Sequence, residues 1–178
     1  MGTTRAALSD ADIRTLLKGA TADERALVAH RLCRHIEHAA LTEEGREEAH
    51  DILRIVAADA AELVRRALAV TLKRSPLVPR DVANRLARDV ESIALPILNC
   101  SPAFTDEDLT EIVRLGGPVR QMAIATRPAL SPKVTGAIVE HGVEKAVESA
   151  CSNDNAAFDA HTLEKAVAKF DKSAPVLT

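Results

Sequence analysis

Residues 30–38 read HRLCRHIEH, a stretch in which several metal-competent side chains crowd together. At 100° per residue of a helix, His30, Cys33 and Glu37 fall on one face, and His35 and His38 pair on another. An imidazole, a thiolate and a carboxylate sharing a face are ligand types for a transition metal. The set stops short of a site, because a structural metal needs four ligands in tetrahedral array and this spacing matches no established zinc pattern. The plain alternative is a surface helix with polar histidines and one buried cysteine. His30, Cys33 and Glu37 therefore stand as candidate ligands only, for a metal-dependent sensor or enzyme.

Other chemistry finds less. No G-x-S-x-G, H-E-x-x-H or dinucleotide fingerprint occurs. Gly116-Gly117 lacks the glycine spacing and the Lys-Ser/Thr ending of a phosphate loop. Asp106, Glu107 and Asp108 make an acidic trio, but capping and complementing the dipole of a helix start accounts for them. NDNAAFDAHTLE, residues 153–164, places Phe158 where a calcium loop needs glycine. No catalytic residue and no cofactor is expected, and the chain reads as non-enzymatic.

Charge is the signal that exceeds the bland reading. Residues 63–88 carry Arg65, Arg66, Lys73, Arg74, Arg80, Arg85 and Arg88 against Asp81 alone, a net of six positive charges. Residues 89–113 carry Asp89, Glu91, Asp106, Glu107, Asp108 and Glu111 with no Lys or Arg, a net of six negative charges. Such polarity suits the orientation and choice of a partner. Arg65, Arg66, Arg85, Arg88 and Glu111 are the expected partner-binding residues, with Arg85 and Arg88 as a basic patch and Glu111 beside it. The competing account is a solvated surface laced with ion pairs between neighbouring units, which are common and weak.

The elements that would position these residues follow from a repeat. Ser75-Pro76-Leu77-Val78, Ser101-Pro102-Ala103-Phe104 and Arg127-Pro128-Ala129-Leu130 recur at 26 residues, with proline second and an apolar residue fourth. A further copy, Asn155-Ala156-Ala157-Phe158, keeps the apolar anchor, lacks the proline and arrives two residues late. Eleven places after each phrase begins stand Leu86, Ile112, Ile138 and Ala166, a helical spacing. Thr105 with the acids after it, Ser131 before Pro132, and Asp159 read as helix N-caps. Gly116-Gly117-Pro118 reads as a stop and turn. Pro96 is tolerable in its helix only within the first turn.

Each unit is thus a short helix, a turn marked by Ser-Pro or Arg-Pro, and a second short helix. Neither helix would stand alone in water, and stacking buries a shared seam. Upstream, Ser9 to Asp12 and Thr21 to Glu24 look like capping boxes that open helices, and Thr42 opens another that ends near Ala57 or Ala58. The expected fold class is all-α: a right-handed helical-repeat solenoid of helix pairs with a period of about 26 residues and an N-terminal helical cap. The expected divisions are a cap over 1–60, an array over 61–172 with units near 61–88, 89–116, 117–142 and 143–172, and a tail over 173–178.

Composition agrees. Apolar residues make up 47% of the 178 and aromatic residues 2%, with no Trp and no Tyr, so the core is built from Ala, Leu, Val and Ile. The scarcity of aromatics also removes the usual stacking platforms for bases. A net charge of −3 gives no global attraction to nucleic acid or to an anionic membrane. Three cysteines, widely spaced, fit reduced thiols in a cytoplasm, and no apolar run reaches the length of a bilayer span.

At LARDVESIALPILNCSPAFTDEDLTEIV (86–113) and RQMAIATRPALS (120–131) the chain resembles a bacterial domain-of-unknown-function family (number 2336), found mainly in alphaproteobacteria. The resemblance covers roughly residues 40–150. It implies an all-helical protein of HEAT-like type and supplies no catalytic residues. The resulting expectation is a helical-repeat module that binds a protein or peptide partner in a regulatory role in the bacterial cytoplasm. Binding of a nucleic-acid backbone and a metal-dependent sensor or enzyme are the two alternatives. No membrane partner is expected, and the oligomeric state is left open.

Overall fold

Capping chemistry sets where the helices begin. The computed structural model describes residues 10–18 and 21–170, and those residues are all-α, with eleven helices. They are α1 (Asp10–Lys18), α2 (Ala22–His38), α3 (Glu43–Ala57), α4 (Glu62–Leu72), α5 (Arg80–Ala87), α6 (Glu91–Cys100), α7 (Asp106–Leu115), α8 (Pro118–Ala125), α9 (Pro132–His141), α10 (Glu144–Cys151) and α11 (Ala160–Phe170). Thr21 and Thr105 each form a full capping box, with Glu24 and Asp108 reaching back to the cap's own N–H. Thr42 and Ser131 cap α3 and α9 through their hydroxyls, and the Asp159 carboxylate accepts from the Thr162 N–H at 2.7 Å. The cap expected at Ser9 and the tail over 173–178 lie outside the described residues.

Two expectations need correction. Pro96 stands sixth in α6, past the first turn, where a proline removes an internal hydrogen bond and crowds the preceding turn. The helix persists because burial holds it: Ile93, Ala94, Ile97 and Leu98 on either side of the proline are fully excluded from water. The last copy of the repeat also keeps the 26-residue register better than its anchor suggests. Asn153 accepts from the Asn155 N–H as Ser75 accepts from Leu77 and Ser101 from Ala103, so the turn begins at Asn153. The two extra residues follow that turn. They form a short extended segment in which Leu130 and residues 155–157 exchange backbone hydrogen bonds.

Glycine serves close approach here. Gly116 and Gly142, 26 residues apart, end α7 and α9 in extended backbone rather than the left-handed turn usual at such ends. Each N–H donates at 2.7 Å to the carbonyl four residues back, Ile112 and Ile138 respectively. A Cβ at either position would collide with that same carbonyl oxygen.

The chain divides into two compact units. The first holds residues 1–97 and 101–103, the second 98–100 and 104–178. In the first, α2 lies along α4, α1 rests on α2 and α3, and α3 contacts both α4 and α5. In the second, α7 packs on α9, α8 on α10 and α9 on α11, so each helix meets the next but one in sequence. That pattern is consistent with a helical repeat. The anchors Val78, Phe104 and Leu130 are all buried, as are Leu86, Ile112, Ile138 and Ala166. No helix among the described residues is long and apolar enough to cross a membrane.

Candidate functional site

The fourth residue of three helices fixes the entry of a later one. Arg25 in α2 grips Asp59 through two hydrogen bonds, Nε to Oδ2 at 2.8 Å and Nη2 to Oδ1 at 3.1 Å. Asp59 in turn accepts from the N–H of Ala61, the residue before α4. In α4, Arg65 grips Asp89 in the same forked manner, at 2.5 and 2.9 Å, and Asp89 accepts from the Val90 N–H at the start of α6. In α8, Gln121 dispenses with the intermediary: its Oε1 accepts from the Val143 N–H at 3.0 Å, before α10. Its Nε2 donates to the Val113 and His141 carbonyls at 2.9 and 3.2 Å. These helix starts carry no side-chain cap of their own, so the clamps supply part of what a cap would.

A cleft of about 420 Å³ opens beside the first two clamps, in the first unit. It is lined by Ala58, Asp59, Ala60, Arg65, Arg85, Arg88 and Asp89. Arg65 is half-buried, and its Nη1 also donates to the Asp59 and Ala60 carbonyls at 2.8 and 3.0 Å. Arg85 in α5 and Arg88, which caps the end of that helix, are exposed. Arg85 Nε donates to the Ala57 carbonyl at 2.9 Å, and Arg88 Nη1 to the Asn84 carbonyl at 3.0 Å. Counting Arg25, which holds Asp59, four guanidinium groups meet two carboxylates, so the rim carries excess positive charge. The Arg25 side chain holds the Asp59 carboxyl below its usual range, and Arg65 does the same for Asp89. Both acids therefore stay ionised and keep the clamps closed at neutral pH.

The expected partner-binding residues thus separate. Arg65, Arg85 and Arg88 come together in the cleft. Arg66 bonds instead to Glu62 one turn back, and also to the Ser92 hydroxyl at 3.2 Å. Glu111 lies on α7, in the second unit, and is exposed. The acidic and basic stretches are partly consumed by pairing with each other, as Arg65 with Asp89 shows. Within the second unit Lys133 pairs with Glu107, whose carboxyl is lowered to about 2 by that ammonium and by local hydrogen bonds. Asp59 and Arg25 were not singled out in the sequence. A partial signal existed, since each clamp aspartate stands two or three residues ahead of a helix and each clamp arginine stands fourth in its helix.

The metal candidates do not gather. Cys33 is fully buried, and desolvation together with the charge of Glu37 pushes its thiol up to about 12. His30 and Glu37 are exposed, and His30 Nδ1 lies 2.9 Å from the Thr71 hydroxyl. Among the described residues no group of three His, Cys, Asp or Glu side chains is placed to hold a metal ion.

Arg127 occupies the place that Ser75, Ser101 and Asn153 hold in the other copies, and it is 8% exposed. Its Nη1 donates to the Leu98 carbonyl, and the guanidinium sits 5.9 Å from the centre of the Phe104 ring. Burial lowers its pKa from the usual guanidinium range.

Residues 93–177 match the model of a family described as an uncharacterised protein conserved in bacteria, DUF2336. The match begins in α6 and runs through α11, further along the chain than residues 40–150, over which the resemblance was read from sequence. No curated protein and no solved structure matches the chain.

Proposed function

Starting from a match to a bacterial family of uncharacterised activity, we propose that this chain is a non-enzymatic helical-repeat interaction module that binds an acidic segment of a protein partner. We read the repeat as HEAT-like, with the helix pairs stacked as a right-handed solenoid, and the cell as alphaproteobacterial, with the work done in its cytoplasm. The observation that carries the binding proposal is the cleft of Arg65, Arg85 and Arg88. Arg65 holds the framework through Asp89, while Arg85 in α5 and Arg88, the residue just after that helix, are exposed three residues apart. Two guanidinium groups so placed suit a carboxylate, which accepts forked hydrogen bonds. The clamps keep the cleft's walls in place before a partner arrives, which lowers the ordering cost of binding.

The test is a pull-down from the source cell at moderate salt, with and without nuclease, using the wild type and the Arg85→Glu/Arg88→Glu variant. A stoichiometric, nuclease-resistant partner that the variant fails to recover, at unchanged helicity, supports the proposal. Equal recovery by the variant removes the cleft from it. Recovery that vanishes with nuclease reassigns the basic rim to a nucleic-acid backbone, and a steep fall of affinity with salt would then confirm that.

A further inference from the structure

The guanidinium groups around the cleft differ in how much of their hydrogen bonding the fold already uses. An arginine offers N–H donors in one rigid plane. Arg65 gives Nε and Nη2 to Asp89, and Nη1 to the Asp59 and Ala60 carbonyls, so its donors are largely spent on the framework. Arg85 is used differently. Its Nε donates to the carbonyl of Ala57, 28 residues earlier and the last residue of α3. Carbonyls that end a helix lack partners within it and carry the negative end of its dipole, so they hold a cation well. The bond ties Arg85 of α5 to α3 and, because the group is rigid, it sets the guanidinium plane. What remains is the outer edge, Nη1 and Nη2, whose hydrogens have no hydrogen-bond partner among the described residues. Asp89 stands near enough to feel the charge of Arg85, yet does not close that edge. Its Oδ2 accepts from Arg65 Nε, and its Oδ1 from Arg65 Nη2 and the Val90 N–H. In Arg88 one nitrogen of the same edge, Nη1, is already engaged by the Asn84 carbonyl one turn back.

We propose, resting on the reading of this cleft as the site of an acidic segment, that Arg85 is its specificity-determining residue. Its Nη1–Nη2 edge takes one Asp or Glu carboxylate of the partner end-on, through two parallel hydrogen bonds, and Arg88 adds charge beside it. The geometry of a fork sets the class of group: a planar anion with two oxygens, which matches two coplanar donors. The Ala57 carbonyl orders the guanidinium before the partner arrives, so less side-chain freedom is lost on binding. A lysine at either position would supply the same charge without the paired donors. The two arginines are thus not interchangeable, although both are exposed and both line the cleft.

The probe is acetyl-Ser-Glu-Ser-amide, which carries a single carboxylate, titrated into the full chain and followed through the arginine side-chain N–H resonances. Saturable shifts at Arg85 are expected, and none with the Gln analogue of the peptide. Arg85→Lys should weaken binding at least about tenfold, the worth of a charge-assisted hydrogen bond. Arg88→Lys should weaken it by no more than about threefold, as for an exposed charge that keeps its sign. Both variants should keep wild-type helicity. An Arg85 that serves the fold alone would weaken binding when replaced, but the peptide would leave its own N–H resonances unmoved; that result overturns the proposal. So do equal losses from the two lysine substitutions, equal binding of the Gln analogue, and the absence of any saturable shift. A phosphoserine analogue bound at least about tenfold tighter, with equal losses from both substitutions, would assign a dianion to the pair and overturn the single fork. None of these outcomes decides the pull-down, in which Arg85→Glu/Arg88→Glu reverses the charge of the rim. Equal recovery there sinks the acidic-segment reading itself, and this inference with it.

Discussion

One residue type plays two parts within a single cleft. Arg65 is half-buried and forks onto Asp89, whereas Arg85 and Arg88 are exposed and donate to backbone carbonyls. Removing Arg65 leaves Asp89 with its charge and without its partner, so Arg65→Ala should cost about 2 kcal/mol, read by urea denaturation. Arg85→Ala should cost less, about 1 kcal/mol, because it gives up a single hydrogen bond to the Ala57 carbonyl. The clamp carboxylates also set a pH dependence. Asp59 and Asp89 titrate lower in the folded protein than their ordinary value of 3.8, because their arginines favour the charged form. The unfolded chain then binds more protons, so the stability the clamps contribute is full above about pH 4 and lost as pH falls through the depressed folded values. Asp89→Asn should be less stable at neutral pH and lose less on acidification; parallel acid curves for the two proteins would refute the role given to Asp89.

At the scale of the element, local chemistry was legible and long-range chemistry was not. Thr21, Thr42, Thr105, Ser131 and Asp159 all cap as their positions suggest, because a cap uses residues within one turn of each other. Thr105→Ala should cost about 1 kcal/mol, seen as a lower urea midpoint. Gln121 could not be read this way, since its partners Val113, His141 and Val143 are scattered along the chain. Gln121→Leu fills the same space and strands three backbone groups, so a loss of about 1–3 kcal/mol is expected; a neutral result would show that water replaces the amide. Gly142→Ala should likewise cost about 1–3 kcal/mol, the usual penalty of forcing an atom into filled space. Pro96 shows the reverse case, in which a correct local rule yields to burial of the residues around it.

At the scale of the whole molecule, the 26-residue spacing of apolar anchors and the Ala, Leu, Val and Ile core were enough to determine an all-α chain of short helices in alternating pairs. They suffice because helical periodicity and capping are local properties, written in neighbouring residues. The sequence also announced a basic stretch followed by an acidic one, and it named Arg65, Arg85 and Arg88. It could not divide them into framework and rim, because the place of Arg65 fourth in its helix does not by itself show that Asp89 stands opposite. Only the tertiary structure decided that Cys33 turns into the core while His30 and Glu37 face water. Only it showed that Arg85 reaches back to the Ala57 carbonyl, 28 residues earlier. Burial is a property of what packs against a residue, and residues far apart in the chain supply it.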